Sequence, residues 1–177
     1  MRAFTSRELT IQNVIREWRF GVVMNYRLAT QSDANELARL RWDFRLEETG
    51  GVTKTTWEQF GPICAEFVAT GIADGEWAYW VADDGKHLLG CVCIRVIRKI
   101  PKPNKLVDRF GYVTNVYMHS ASRNKGYGTR LLAMAMEWAR ENMISELIVF
   151  PSERSVPYYE RQGFKQDDGL HIDLEPY

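Results

Sequence analysis

The sequence predicts an α/β (α+β) fold built on a mixed sheet. Three observations predict it. The hydrophobic period changes from helical to alternating near residue 77. A glycine-bearing turn at Arg123–Thr129 joins an apolar strand to a long amphipathic helix. A short, wholly apolar strand, Leu147–Phe150, follows that helix.

In chain order, Leu9, Ile11, Val14, Ile15 and Trp18 fit a helical stripe, with Thr5 and Glu8 as a capping box. Residues 1–23 are therefore expected to be a helical extension, and 24–177 one domain. The extension reads either as a helix that docks on the domain or on a partner chain, or as a plain upstream extension, and a homodimer is among the expected assemblies. Tyr26–Thr30 reads as a strand. Thr30, Ser32 or Asp33 caps a helix through Leu37, Leu40 and Arg41 that stops at Gly50-Gly51. A second helix opens at Thr53 or Thr55, with Trp57, Phe60, Cys64, Phe67 and Val68 as its apolar face, and ends by Gly75. Trp77–Ala82 and Leu88–Ile97 read as a hairpin around Asp83-Asp84-Gly85-Lys86. A basic, proline-bearing loop follows to Arg109, then a strand at Gly111–His119. Gly126–Asn142 is the longest helix. Leu147–Phe150 is expected to be buried on both faces. Val156–Gln162 is a short helix closed by Gly163, and Leu170–Leu174 a last strand.

Composition narrows the function. Lys plus Arg and Asp plus Glu number 23 each, so no basic field exists to hold nucleic acid or an anionic membrane. No apolar run reaches spanning length and no secretory pattern opens the chain, so the cytoplasm is the expected location. Three cysteines do not make a disulfide framework. Cys91 and Cys93 share a strand face and read as small core residues. No metal site is expected.

The chemistry gathers at Arg123-Asn124-Lys125-Gly126-Tyr127-Gly128-Thr129. Gly126 and Gly128 remove side chains where backbone must approach a ligand. The helix start presents unpaired N–H groups and a partial positive charge, to which Arg123 and Lys125 add full charges. A diphosphate suits this better than a carboxylate. The dinucleotide fingerprint needs a third glycine and a later acid, and the nucleoside-triphosphate loop needs Gly-Lys-Ser/Thr. Neither pattern is present.

This stretch resembles motif A of the GNAT superfamily of N-acetyltransferases, Arg/Gln-x-x-Gly-x-Gly/Ala. Downstream, Tyr158-Tyr159-Glu160-Arg161-Gln162-Gly163-Phe164 is similar to that superfamily's Leu-Tyr-Glu-Lys-Leu-Gly-Phe block, and the order of elements matches from Tyr26 to Leu174. The resemblance implies a mostly antiparallel twisted sheet splayed between the strands at 112–119 and 147–150. It implies acetyl-CoA as co-substrate and direct transfer to a primary amine of a small molecule or peptide. The pantetheine arm would pair along Val116, Tyr117 and Met118, with the Met118 amide donating to the thioester oxygen. Arg123, Asn124, Lys125, Gly126, Tyr127, Gly128 and Thr129 would hold the pyrophosphate. Ser152 stands where relatives carry an asparagine on the cofactor arm.

Tyr159 matches the family's tyrosine acid. Its hydroxyl, with an ordinary pKa of about 10 against about 8.5 for a thiol, can donate to a departing thiolate. Tyr158 reads as packing. In relatives the base comes from the strand face on which Tyr112 and Thr114 would point, and neither residue is a good base. His119 has a suitable pKa, but alternation from Thr114 sends it to the other face. Trp42 and Glu47 mark the acceptor side of the first helix, where Asp43 and Glu48 are further candidates. The missing base keeps an alternative open: a non-catalytic acyl-CoA-binding or regulatory module.

Overall fold

The structure, a computed structural model, describes residues 15–19 and 22–166. Its elements are β1 (Ile15–Arg19), β2 (Val22–Leu28), α1 (Ala34–Glu48), α2 (Trp57–Ala73), β3 (Trp77–Asp83), β4 (Leu88–Arg98), β5 (Arg109–Met118), α3 (Tyr127–Glu141), β6 (Leu147–Val149) and α4 (Val156–Arg161). The strands form one sheet in the order β1-β2-β3-β4-β5-β6. Every pairing is antiparallel except β5–β6, which is parallel. α1 and α2 cover one face through Leu37, Leu40, Val68, Tyr79, Val81, Cys91 and Cys93. α3 and α4 cover the other through Val92, Ile94, Val113, Leu131, Leu132 and Tyr159. No helix among the described residues is long and apolar enough to cross a membrane.

Four expectations need correction. The longest helix among the described residues is α2, with 17 residues, and not α3 after Gly126, which has 15. The helical stripe of the first residues ends in a strand: Ile15–Arg19 pairs with β2 from Ile15↔Tyr26 to Arg19↔Val22. Ile15 and Trp18 fit helical spacing, but β-branched and aromatic residues also favour strands, and the free edge of β2 supplies a ladder. Residues 1–14 and the expected strand at Leu170–Leu174 lie outside the described residues. The second helix opens at Thr56, whose capping box with Gln59 satisfies its first turn. And β6 is only half-buried, with Phe150 76% exposed beyond it. Among the described residues β6 has one neighbour, β5, over three residue pairs.

That short pairing opens the sheet. β5 and β6 match at Gly111↔Leu147, Tyr112↔Ile148 and Val113↔Val149, and then part. Only a small residue fits at the tight end, because a Cβ on Gly111 would stand 2.6 Å from Leu147 Cδ2. On its other side β5 stays paired with β4 through a bulge. Cys93 faces Thr114 and Cys91 faces Tyr117, so Asn115 and Val116 together oppose the single Val92. Asn115 takes the left-handed φ of +49° that this requires, a conformation asparagine tolerates.

Just past the bulge the strands are pressed together. A Cβ on Gly90 would stand 2.1 Å from Met118 Sδ and 2.5 Å from the Tyr117 carbonyl oxygen. The second contact is backbone and cannot swing away. Gly90→Ala is expected to cost about 1–3 kcal/mol, read as a lower urea midpoint. Gly111→Ala should cost less, since its nearest atoms are the ends of Leu147 and Ile94 side chains.

Candidate active site

The open edge of β5 and the start of α3 meet at one place. His119 N–H donates to Leu89 O in β4 at 2.9 Å. Peptide groups alternate along a strand, so Tyr117 also turns to β4, while Val116 and Met118 turn the other way, into the gap left by β6. Met118 O there accepts from Arg123 Nε at 2.8 Å.

The turn into α3 is built from left-handed residues, Asn124 at φ +59° and Gly126 at φ +80°. Gly126 is the N-cap and brings no side chain, so α3 begins without a side-chain cap. The first intrahelical bond is Arg130 N–H to Gly126 O at 3.0 Å. The amides of Tyr127, Gly128 and Thr129 precede it, in the first turn, where N–H groups point out of the helix end. The fold itself does not demand glycine at 128. A Cβ there would make ordinary contact, 3.4 Å from Met118 Cγ and 3.8 Å from Tyr158 Oη. Asn124, Lys125, Gly126 and Thr129 are exposed, whereas Tyr127 is a core residue.

Other sequence-picked residues lie around this gap. Tyr159 is buried in the α3-side core, with its ring 5.1 Å from that of Tyr158 and 5.4 Å from that of Phe164. Burial, then the nearby Tyr112, pushes its hydroxyl up to about 12. Tyr158 does pack, and its hydroxyl donates to Gly128 O at 3.0 Å, tying α4 to the first turn of α3. Tyr112 rests near the Phe150 ring, 5.8 Å between centroids. Ser152 lies beyond β6, its hydroxyl 3.0 Å from that of Ser155.

On the α1 side, Glu47 is the centre of a small network. It accepts from Tyr117 Oη at 2.7 Å and pairs with Arg123, whose guanidinium also lies over the Tyr117 ring. Arg123 holds the Glu47 carboxyl below its ordinary pKa against the opposing effect of burial, and the Tyr117 hydroxyl adds to the lowering. Burial and Glu47 raise Tyr117 in turn. The Arg123 side chain is thus turned to α1 and β5, away from the start of α3.

His119 joins this network, its Nδ1 3.5 Å from Tyr117 Oη. The expectation that it points away from Thr114 is wrong, and the bulge is the reason. One extra residue between Thr114 and Tyr117 reverses the alternation, so Thr114, Tyr117 and His119 share the α1 face. The residues proposed for the acceptor are not all brought together. Tyr112 and Thr114 share the β5 face, but Trp42 packs against Trp57 and Phe60 between α1 and α2, with centroids 6.0 and 5.4 Å away. Asp43 pairs with Arg39 and Glu48 with Arg45.

Two residues were missed. Asn115 holds the bulge: its Nδ2 donates to Cys91 and Cys93 Sγ, both at 3.5 Å, and its carbonyl accepts from Cys91 Sγ at 3.3 Å. Arg41 reaches Asn115 Oδ1 at 3.3 Å. The signals were present: an asparagine inside a strand run, and a cation on an apolar helical stripe. Among the described residues no cluster of His, Cys, Asp and Glu could hold a metal ion.

The fold recurs in solved proteins. A predicted acetyltransferase from Clostridium acetobutylicum, solved with acetyl-CoA, matches with a TM-score of 0.71 and 25% identity, covering 85% of this chain and 96% of that one. A GCN5-related N-acetyltransferase from Ralstonia eutropha matches at 0.69 and 24%, covering 85% and 98%. Glucosamine-6-phosphate N-acetyltransferase from Arabidopsis thaliana shares the fold at 0.61 and 18%, covering 87% and 97%. No curated protein matches the chain in sequence. The acetyltransferase (GNAT) family model matches residues 35–164, across the α1-side face, the bulge, the α3 turn and the Tyr159 helix, and the chain belongs to that family.

Proposed function

We propose that this protein transfers an acetyl group directly from acetyl-CoA to a primary amine of a small molecule or peptide. The observation that carries the reading is the uncapped start of α3, with glycine at 126 and 128, opening onto a gap in the sheet. A diphosphate would take the amides of Tyr127–Thr129 and the loop from Arg123, where the helix start favours negative charge. The extended arm would lie along Val116–Met118 and use the backbone groups that face the gap. Either the Met118 or the Val116 amide then meets the thioester oxygen as charge develops on it. Tyr159 would give its proton to the departing thiolate, and the proton that the acceptor nitrogen sheds would return the tyrosine to its acid form by way of solvent, so that the thiol and the amide are the products. Ser152, across the gap, would touch the arm. On the same reading Glu47, Tyr112 and Thr114 border the acceptor. A cytoplasmic location goes with it, in keeping with three free thiols.

A thiol-release assay with acetyl-CoA against amines, polyamines, aminoglycosides, amino acids and peptides tests this, with the acetylated product identified by mass. Amine-dependent release is the expected result. Stabilisation by acetyl-CoA without release for any amine would favour a binding module. No stabilisation at saturating acetyl-CoA would remove both.

A further inference from the structure

The charges on α1 leave one residue over. α1 carries three arginines. Arg39 pairs with Asp43 and Arg45 with Glu48, within the helix. Glu47 is taken by Arg123 and Tyr117. Arg41 alone meets no carboxylate among the described residues. Among the described residues its one hydrogen bond runs to Asn115 Oδ1 at 3.3 Å, and its guanidinium lies 5.8 Å from the Phe44 ring. Most of its donor fork has no acceptor among the described residues.

Arg41 is half-buried, close enough to Cys64 in α2 and Cys91 in β4 for its charge to act on both thiols. Neither thiol supplies a counter-charge. Burial raises the Cys64 thiol, and the hydrogen bond with Cys93, with burial, raises that of Cys91, so both stay protonated near neutral pH. A guanidinium withdrawn from water without an opposite charge is costly to the fold by itself. An anion arriving there removes that cost.

Its position says which anion. Asn115 directly precedes Val116, whose amide faces the gap. Thr114, just before it, belongs to the face that α1 covers. An oxyanion on Arg41 would therefore sit beside the carbon under attack, on the α1 side of β5.

We infer that Arg41 is a specificity residue that binds an oxyanion of the acceptor, so that the acceptor is a small amine carrying a carboxylate or phosphate a few bonds from its nitrogen. This rests on the acetyl-transfer reading above. A planar fork matches either oxyanion through paired hydrogen bonds.

The test compares rates on matched acceptors. One arm sets an amino acid against its amide and its decarboxylated amine. The other sets a phosphorylated small amine against its unphosphorylated form. The anionic member of the preferred pair is expected to have a KM about tenfold to a hundredfold lower. Arg41→Gln should raise that KM to the uncharged acceptor's value, so that the ratio of the two falls to about one. Arg41→Lys should recover part of the loss. Both variants should keep the thermal stabilisation by acetyl-CoA, which shows that fold and donor site survive.

Equal KM values within both wild-type pairs overturn the inference, as does preference for an uncharged or cationic acceptor. So does an Arg41→Gln loss that is the same for charged and uncharged acceptors, or acetyl-CoA binding with no turnover of any pair. If Arg41→Gln does not fold, the wild-type pairs and Arg41→Lys decide. Absence of acetyl-CoA stabilisation in the wild type removes the parent reading together with this one, whereas turnover of the wrong acceptors removes only this one.

Discussion

Gly126→Asp is expected to abolish the thermal stabilisation that acetyl-CoA gives the wild type, while Gly126→Asn keeps most of it. Gly126 has φ +80° and caps α3 without a side chain. Asparagine and aspartate both tolerate that backbone better than other residues, so the pair separates strain from charge. Aspartate places a carboxylate where a diphosphate would lie, and its oxygens can accept from N–H groups of the first turn. At acetyl-CoA a hundredfold above Kd the wild type gains about 2.7 kcal/mol. For a chain of this size that is a Tm shift of roughly 5–10 °C. A scanning fluorimetry series over both variants reads it. If Gly126→Asp keeps the full shift, the donor binds elsewhere.

Tyr159→Phe is expected to lower kcat about a hundredfold or more and to leave the acetyl-CoA shift nearly unchanged. Phenylalanine keeps the ring contacts with Tyr158 and Phe164 and removes only the donor. General acids contribute about 10²–10⁴-fold when correctly placed. The sign of the pKa change matters. Burial, then Tyr112, pushes the hydroxyl up to about 12, so it holds its proton throughout the usual assay range. The kcat profile should therefore show no fall assignable to tyrosine ionisation up to about pH 10, where an ordinary tyrosine would already be half ionised. Stopped-flow or steady-state rates across pH measure it. Equal losses in turnover and donor affinity would leave Tyr159 a binding residue only.

Much of this was legible in the residues. The hairpin at Asp83–Lys86, the long helix after Gly126 and the short one before Gly163 announce themselves by turn chemistry and period, which are local. The strand at 15–19 was not legible, because Ile15 and Trp18 satisfy helical spacing while their pairing partner, β2, is a tertiary fact. The face of His119 was misjudged for a sharper reason. Alternation counts residues, and the Asn115–Val116 bulge adds one that no period reveals. Burial of Leu147–Phe150 was misread because an apolar run does not say how many neighbours a strand will have. Arg41 was seen only as a stripe residue. Its meaning depends on which acids are already paired, and that is a property of the assembled surface.

The parting of β5 and β6 has a consequence for how ligand and fold relate. Beyond Val113 one side of β5 has no ladder partner among the described residues. A donor arm lying there would act as a substitute strand, completing the sheet by backbone hydrogen bonds that the described residues do not make. Part of the native lattice would then be supplied from solution, and its rigidity would rise and fall with the supply of acetyl-CoA. The amides of Val116 and Met118 would exchange with deuterium quickly without the donor and slowly with it, while the β4-facing amide of His119 would hold its protection in both states.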